Sequence, residues 1–217
     1  MANVVSRPPM DRRAQRRRDT TDQILDIAVT IMTTAGVGGL TVSAIARELG
    51  VKPPSIYKYF DSLLAIYDAL FRRGQQANLE ALQTALTGSV SGLPAIRAGL
   101  EATGRWAIAN PVLAQLLFWR PVPGYVPSAG SFAPTLEIVN LLRRELRAAA
   151  VAGELGDKAS SDDAMALLST LHFGVISQQL ANDPEGDWEH GRFTRLLPRT
   201  LELFVAAYPP GKTPDGS

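Results

Sequence analysis

The chain has 217 residues, 46% apolar and 20% charged, and its 22 basic and 21 acidic side chains leave a formal charge of +1. That length and composition supply a hydrophobic core for one or two domains; they exclude chain-wide disorder and leave no global field to recruit nucleic acid or membrane. The absence of cysteine excludes disulfide frameworks, thiolate catalysis and Cys-based zinc sites.

The charge is unevenly spread. Residues 1–73 hold 11 Lys/Arg against 7 Asp/Glu, whereas residues 74–217 hold 11 against 14. Arg7, Arg12, Arg13, Arg16, Arg17 and Arg18 face the single acid Asp11, the composition of an arm that follows phosphates, and equally that of a solvated, flexible tail. No apolar run long enough for a signal-peptide core follows. The most apolar stretch, Val112–Trp119, is bounded by Pro111, broken by Gln115 and too short to span a bilayer. The expectation is a soluble, cytoplasmic protein.

Strand patterns are almost absent and 3.6-residue periodicity recurs, so the expected fold class is all-α. A first helix opens near Thr20 or Thr21 and sets Ile24, Ile27, Ala28 and Ile31 on one face before Gly36 ends it. Thr41 caps a short second helix with an apolar face of Ile45, Ala46 and Leu49, stopped by Gly50. Pro53 and Pro54 open a third, expected to run to Phe60, because a first turn tolerates proline. Helices two and three, joined through Gly50-Val51-Lys52, form a helix-turn-helix with a shared core of Ala46, Leu49, Val51, Ile56 and Phe60. A fourth helix runs from about Ser62 into the eighties. Beyond it come helices at Pro94–Ile108 and Asn110–Leu117, an irregular stretch over Arg120–Ser131, and helices at 133–152, 161–181 and 189–207.

The stretch from Gly39 to Phe60, with Thr41, Ile45-Ala46, Leu49-Gly50-Val51, Ile56-Tyr57 and Phe60 at its hallmark positions, resembles the DNA-binding domain of the TetR family of bacterial transcriptional regulators. The resemblance spans residues 19–73. It implies an N-terminal three-helix helix-turn-helix domain at 19–73, preceded by a basic arm at 1–18. A larger helical effector-binding and dimerisation domain follows at 74–208, then a disordered tail at 209–217. A reading helix fits the major groove while its partner crosses the backbone, so Thr41, Val42 and Ser43 are expected at a phosphate. Lys52, Pro53, Ser55, Lys58 and Tyr59 are expected at base edges or groove walls, and Tyr57 at a phosphate, its usual role in the family. Taken singly, Thr41 is only an N-cap, Tyr57 a core aromatic with a wet tip, and the lysines solubilising charges; their joint spacing favours DNA.

One departure matters. Many members carry a phosphate-gripping Lys at the start of the fourth helix, where this chain has Asp61-Ser62-Leu63. The expectation is that the Arg-rich arm at 12–18, with Arg16, Arg17 and Arg18 its candidate contacts, replaces the lost phosphate contacts by entering the adjacent minor groove.

A single module buries little DNA, so two copies on a palindromic operator are expected, about one helical turn apart. The resemblance places the dimer surface on the last two helices, through Ala164, Leu168, Leu171 and Val175 on one and Leu197, Leu201 and Phe204 on the other. It also implies a small-molecule effector. Arg105, Trp106, Gln115, Phe118, Trp119, Tyr125, Phe132, His172 and Phe173 are the expected walls of a pocket for a mainly apolar ligand. No cofactor or metal is expected. Two histidines and no paired carboxylates or phosphate-cradling glycine loop give an enzyme nothing to work with. The rival reading is a helical small-molecule carrier that keeps the three-helix unit for packing alone.

Overall fold

The computed structural model describes residues 12–211, and among them every regular element is helical. The chain divides into two compact units between Leu70 and Phe71. Residues 1–11 of the basic arm and 212–217 of the expected tail lie outside the described residues.

The first unit contains α1 (Arg12–Ala35), α2 (Val42–Glu48), α3 (Pro53–Ile56) and the opening turns of α4 (Leu63–Thr87). Ile24, Ala28, Met32, Ile45, Ile56 and Ile66 are buried at its centre, each large apolar side chain contributing about 2 kcal/mol. The Tyr67 hydroxyl donates to the Val37 carbonyl at 2.6 Å. The α2 cap is as expected, Thr41 Oγ1 accepting from Ala44 N at 3.1 Å. At the other end Gly50, at φ +71, lets its own N–H reach Arg47 O and the Val51 N–H reach Ala46 O, satisfying two helix-end carbonyls. Val51 itself is exposed and Leu49 only half-buried, so the shared core is smaller than the sequence suggests.

Two boundaries differ from expectation here. Helix α1 begins at Arg12, not Thr20, because the Thr20 and Thr21 hydroxyls donate back to Arg16 O and Arg17 O inside the helix. Arg12–Arg18 is therefore helical. The third helix is α-helical only over Pro53–Ile56 and continues as turns, with Ser55 N and Tyr59 N bonding three residues back. Two prolines without N–H groups leave that segment too few four-back bonds to sustain a longer helix.

The second unit comprises the rest of α4 with α5 (Leu93–Ala109), α6 (Pro111–Trp119), α7 (Ala129–Val151), α8 (Asp162–Asn182) and α9 (Leu197–Ala207). Its main core joins Ile96 and Leu100 of α5 to Leu146 of α7, Leu168 of α8 and Leu201 and Phe204 of α9. Carboxylates serve the α5 N-terminus: Glu145 Oε2 accepts from Ser91 Oγ at 2.6 Å and Gly92 N at 3.2 Å, and Glu154 from Leu93 N at 2.9 Å. Burial raises the Glu145 pKa, but the Ser91, Arg144 and Gly92 donors outweigh it and hold it below the usual value.

Helix α7 starts at Ala129, earlier than expected, because Ser128 caps it and Pro134 is absorbed into its second turn. Helix α9 starts late. Buried Gln179 accepts from Phe193 N and Thr194 N through Oε1, and Asp183 Oδ2 takes Arg192 N at 2.7 Å, which folds the preceding residues into turns. A short 3₁₀ turn at Asp157–Ser160, unforeseen, precedes the Ser161 cap of α8.

The residues expected at a dimer surface face inward. Ala164, Leu168, Leu197, Leu201 and Phe204 belong to the unit's own core, Leu171 packs against it, and Val175 is buried. An apolar stripe does not name its partner, and the domain core claims the wider stripe. The exposed sides of α8 and α9 carry Ala166, Thr170 and Gly174, and Leu203, Ala206 and Ala207.

Candidate functional site

In the first unit the helix-turn-helix presents its polar residues outward. Ser43, Lys52, Pro53 and Lys58 are exposed, Tyr57 is 51% exposed, and Val42, Ser55 and Tyr59 are half-buried. Tyr57 thus stands further into solvent than a ring buried against the core would. Arg16, Arg17 and Arg18 project from α1, but not as a free arm. Arg17 donates to the Lys58 carbonyl at 2.9 Å, and its guanidinium lies 5.3 Å from the Tyr59 ring centroid; Arg18 bonds Gln15. Arg17 therefore braces the turn that carries Tyr57 and Lys58. Sequence reading missed this because the partner is a backbone carbonyl 41 residues away.

The second unit encloses a cavity of about 340 Å³. Five expected residues line it: Phe118, Trp119, Phe132, His172 and Phe173. Four do not. Arg105 pairs with Glu189 and lies over Trp188; Trp106 packs against Ala107, Ala114 and Ile176; Gln115 borders a separate surface recess; Tyr125 is buried edge-on to Phe71. Aromatic and polar residues at helical spacing serve core and surface as readily as a cavity, which is why the sequence did not separate them.

The lining also includes residues that the sequence reading passed over: Phe71, Gln75 and Asn78 on α4, Thr103 on α5, Thr135 on α7 and Ser169 on α8. Gln75 and Asn78 are almost fully buried; their fourth- and seventh-residue spacing from Phe71 was the available signal. His172 Nε2 lies 3.1 Å from Thr103 Oγ1, and desolvation pushes the imidazole pKa down to about 4, so the ring is neutral near pH 7. Among the described residues no cluster of His, Asp and Glu is placed to hold a metal, and no helix is long and apolar enough to cross a membrane.

Comparison with known proteins agrees with both units. The model of bacterial regulatory proteins of the tetR family matches residues 24–70, and that of the tetracyclin repressor-like C-terminal domain matches residues 96–204. An HTH-type transcriptional regulator of Mycobacterium tuberculosis is 29% identical over 119 residues, covering 52% of this chain and 51% of its own. The biofilm operon icaADBC negative transcriptional regulator IcaR of Staphylococcus aureus is 38% identical over 47 residues, covering 22% and 25%. The chain thus spans about half the length, or less, of these curated relatives. Among solved structures, a protein of unknown function from a Rhodococcus species superposes with a TM-score of 0.71 at 22% identity, covering 87% of this chain and 94% of that one. The TetR family transcriptional regulator PfmR of Thermus thermophilus gives 0.65 at 19%, covering 84% and 97%. Helix-turn-helix and hollow helical domain, matched in order along one sequence, place this chain in the TetR family of bacterial transcriptional regulators.

Proposed function

We propose that this regulator is a homodimeric repressor that holds a palindromic operator and is released by a small, mainly apolar molecule, acting in the cytoplasm. The cavity carries the reading: a domain that needed only to dimerise would close its core, yet this one keeps about 340 Å³ open among aromatic walls. In the DNA complex Tyr57, Lys58 and the Thr41 end of α2 meet the duplex, with Lys52, Pro53, Ser55 and Tyr59 alongside. Arg16 and Arg18 stay available for phosphates, while Arg17 holds the reading turn. Dimerisation uses the outward faces of α8 and α9, where Gly174 permits close approach and Leu203, 59% exposed, offers an apolar anchor. Ligand binding releases DNA by favouring a dimer whose reading turns no longer match successive major grooves, which requires tighter binding to that shape. The negative sign of control is that of the Staphylococcus aureus relative.

Fluorescence anisotropy on a labelled duplex from beside its own gene tests the proposal. Specific, salt-sensitive binding by the wild type, weakened about tenfold or more in Tyr57→Ala and Lys58→Ala with unchanged circular dichroism, is expected. Uniformly weak binding, indifferent to sequence and to both substitutions, would establish the carrier reading instead.

A further inference from the structure

Three buried side-chain polar atoms lack a hydrogen-bond partner among the described residues: Asn78 Oδ1, Thr135 Oγ1 and His172 Nδ1. All three belong to residues that line the cavity of the second unit. Asn78 and His172 are each 5% exposed. Unpaired polar atoms at such depth are costly, and all three belong to residues around one cavity, which is the arrangement a bound polar group would relieve.

The sense of the missing bonds follows from the network. The Thr103 hydroxyl has one hydrogen and three acceptors in reach, Gly99 O at 2.9 Å, Leu100 O at 3.2 Å and His172 Nε2 at 3.1 Å; assigning that hydrogen to the nearest, Gly99 O, makes the hydroxyl an acceptor toward the imidazole. With that assignment the imidazole proton is on Nε2. Nδ1 is left with a bare lone pair, and Asn78 Oδ1 is likewise an acceptor. Thr135 can act in either sense. Among the described residues of the lining Arg120 alone carries a charge, and it lies at the exposed edge. No buried cation awaits an anion and no carboxylate awaits an ammonium.

From this arrangement we infer that the effector is an uncharged, largely aromatic or aliphatic molecule that donates a hydrogen bond from a hydroxyl or N–H group to Asn78 and His172. A carboxylate or phosphate would set its lone pairs against theirs. Burial keeps His172 neutral near pH 7, so the pocket presents no ready imidazolium to such a ligand. The inference rests on the effector-pocket reading above, and it specifies the ligand's chemical class.

Three probes with one ring system separate the possibilities: 2-naphthol, which donates; 2-methoxynaphthalene, which only accepts; and 2-naphthoate, an anion. Calorimetric titration of the full chain near pH 7 should give 2-naphthol a Kd about tenfold or more below both others. Thr135→Val should keep that order, and Asn78→Ala should cut the advantage over the ether to about threefold or less. Equal binding of naphthol and ether, or tighter binding of naphthoate, overturns the donor preference while leaving the pocket in place. Binding by none of the three overturns the pocket reading and the inference with it. The wild-type series decides even if Asn78→Ala fails to fold.

Discussion

His172 makes the second unit acid-sensitive in a way that can be calculated. In the unfolded chain its imidazole titrates near 6.5; in the fold, where the charged form would lose its hydration, desolvation pushes that value down to about 4. Between these values the unfolded chain binds the additional proton, so stability is complete above about pH 6.5 and declines as pH falls toward 4. The interval corresponds to about 3 kcal/mol, lost at about 1.4 kcal/mol per pH unit. All three tryptophans, Trp106, Trp119 and Trp188, lie in this unit, so their fluorescence reports its unfolding separately from the first. Urea titrations of wild type and His172→Gln at a series of pH values measure the difference directly, since Glu145 and the surface carboxylates are common to both. The wild type should lose its margin over the variant steadily from pH 6.5 downward. A difference constant to within about 0.5 kcal/mol over that range would refute a buried neutral imidazole.

Other outcomes follow from the same contacts. Arg17→Ala removes a charge-assisted bond to the Lys58 carbonyl and its stacking on Tyr59; operator affinity measured by anisotropy should fall about three- to tenfold, more than for Arg16→Ala. Glu145→Ala strands the buried Gly92 N–H and should lower the stability of the second unit by about 1–3 kcal/mol in urea melts. Stability that depends on the Glu145 carboxylate is present above its ordinary pKa and is lost as pH falls through the depressed folded value, so the wild-type advantage should shrink in acid. Leu203→Glu, on the exposed side of α9, should convert the proposed dimer to monomer by light scattering while leaving tryptophan emission unchanged.

What the sequence made legible was local. Thr41 and Ser161 cap helices by reaching three residues along the chain, and Gly50 ends α2 through its own left-handed backbone, so residue type and spacing sufficed. What it concealed depends on distant partners. The late start of α9 is set by Gln179, which intercepts N–H groups 14 and 15 residues away. The stripe of Leu168, Leu201 and Phe204 was visible, but whether it met another subunit or its own core was not. The helix-turn-helix was legible because its cap, glycine and prolines are local, although α3 proved shorter and Tyr57 more exposed than propensity implied. The cavity was half found. Its aromatics stand out in any sequence, whereas Asn78, Thr103 and Thr135 look like ordinary helix residues until the fold surrounds them.

The relay from Gly99 through Thr103 to His172 has an evolutionary consequence. The assigned orientation of one hydroxyl hydrogen sets which sense the imidazole offers, so exchanging Thr103 for the near-isosteric valine would leave the ring free to carry its proton on Nδ1 and turn that one position from acceptor to donor, with Asn78 unchanged. On the function proposed above, a lineage built this way changes its preference for a ligand by one methyl-for-hydroxyl swap, with its architecture left intact.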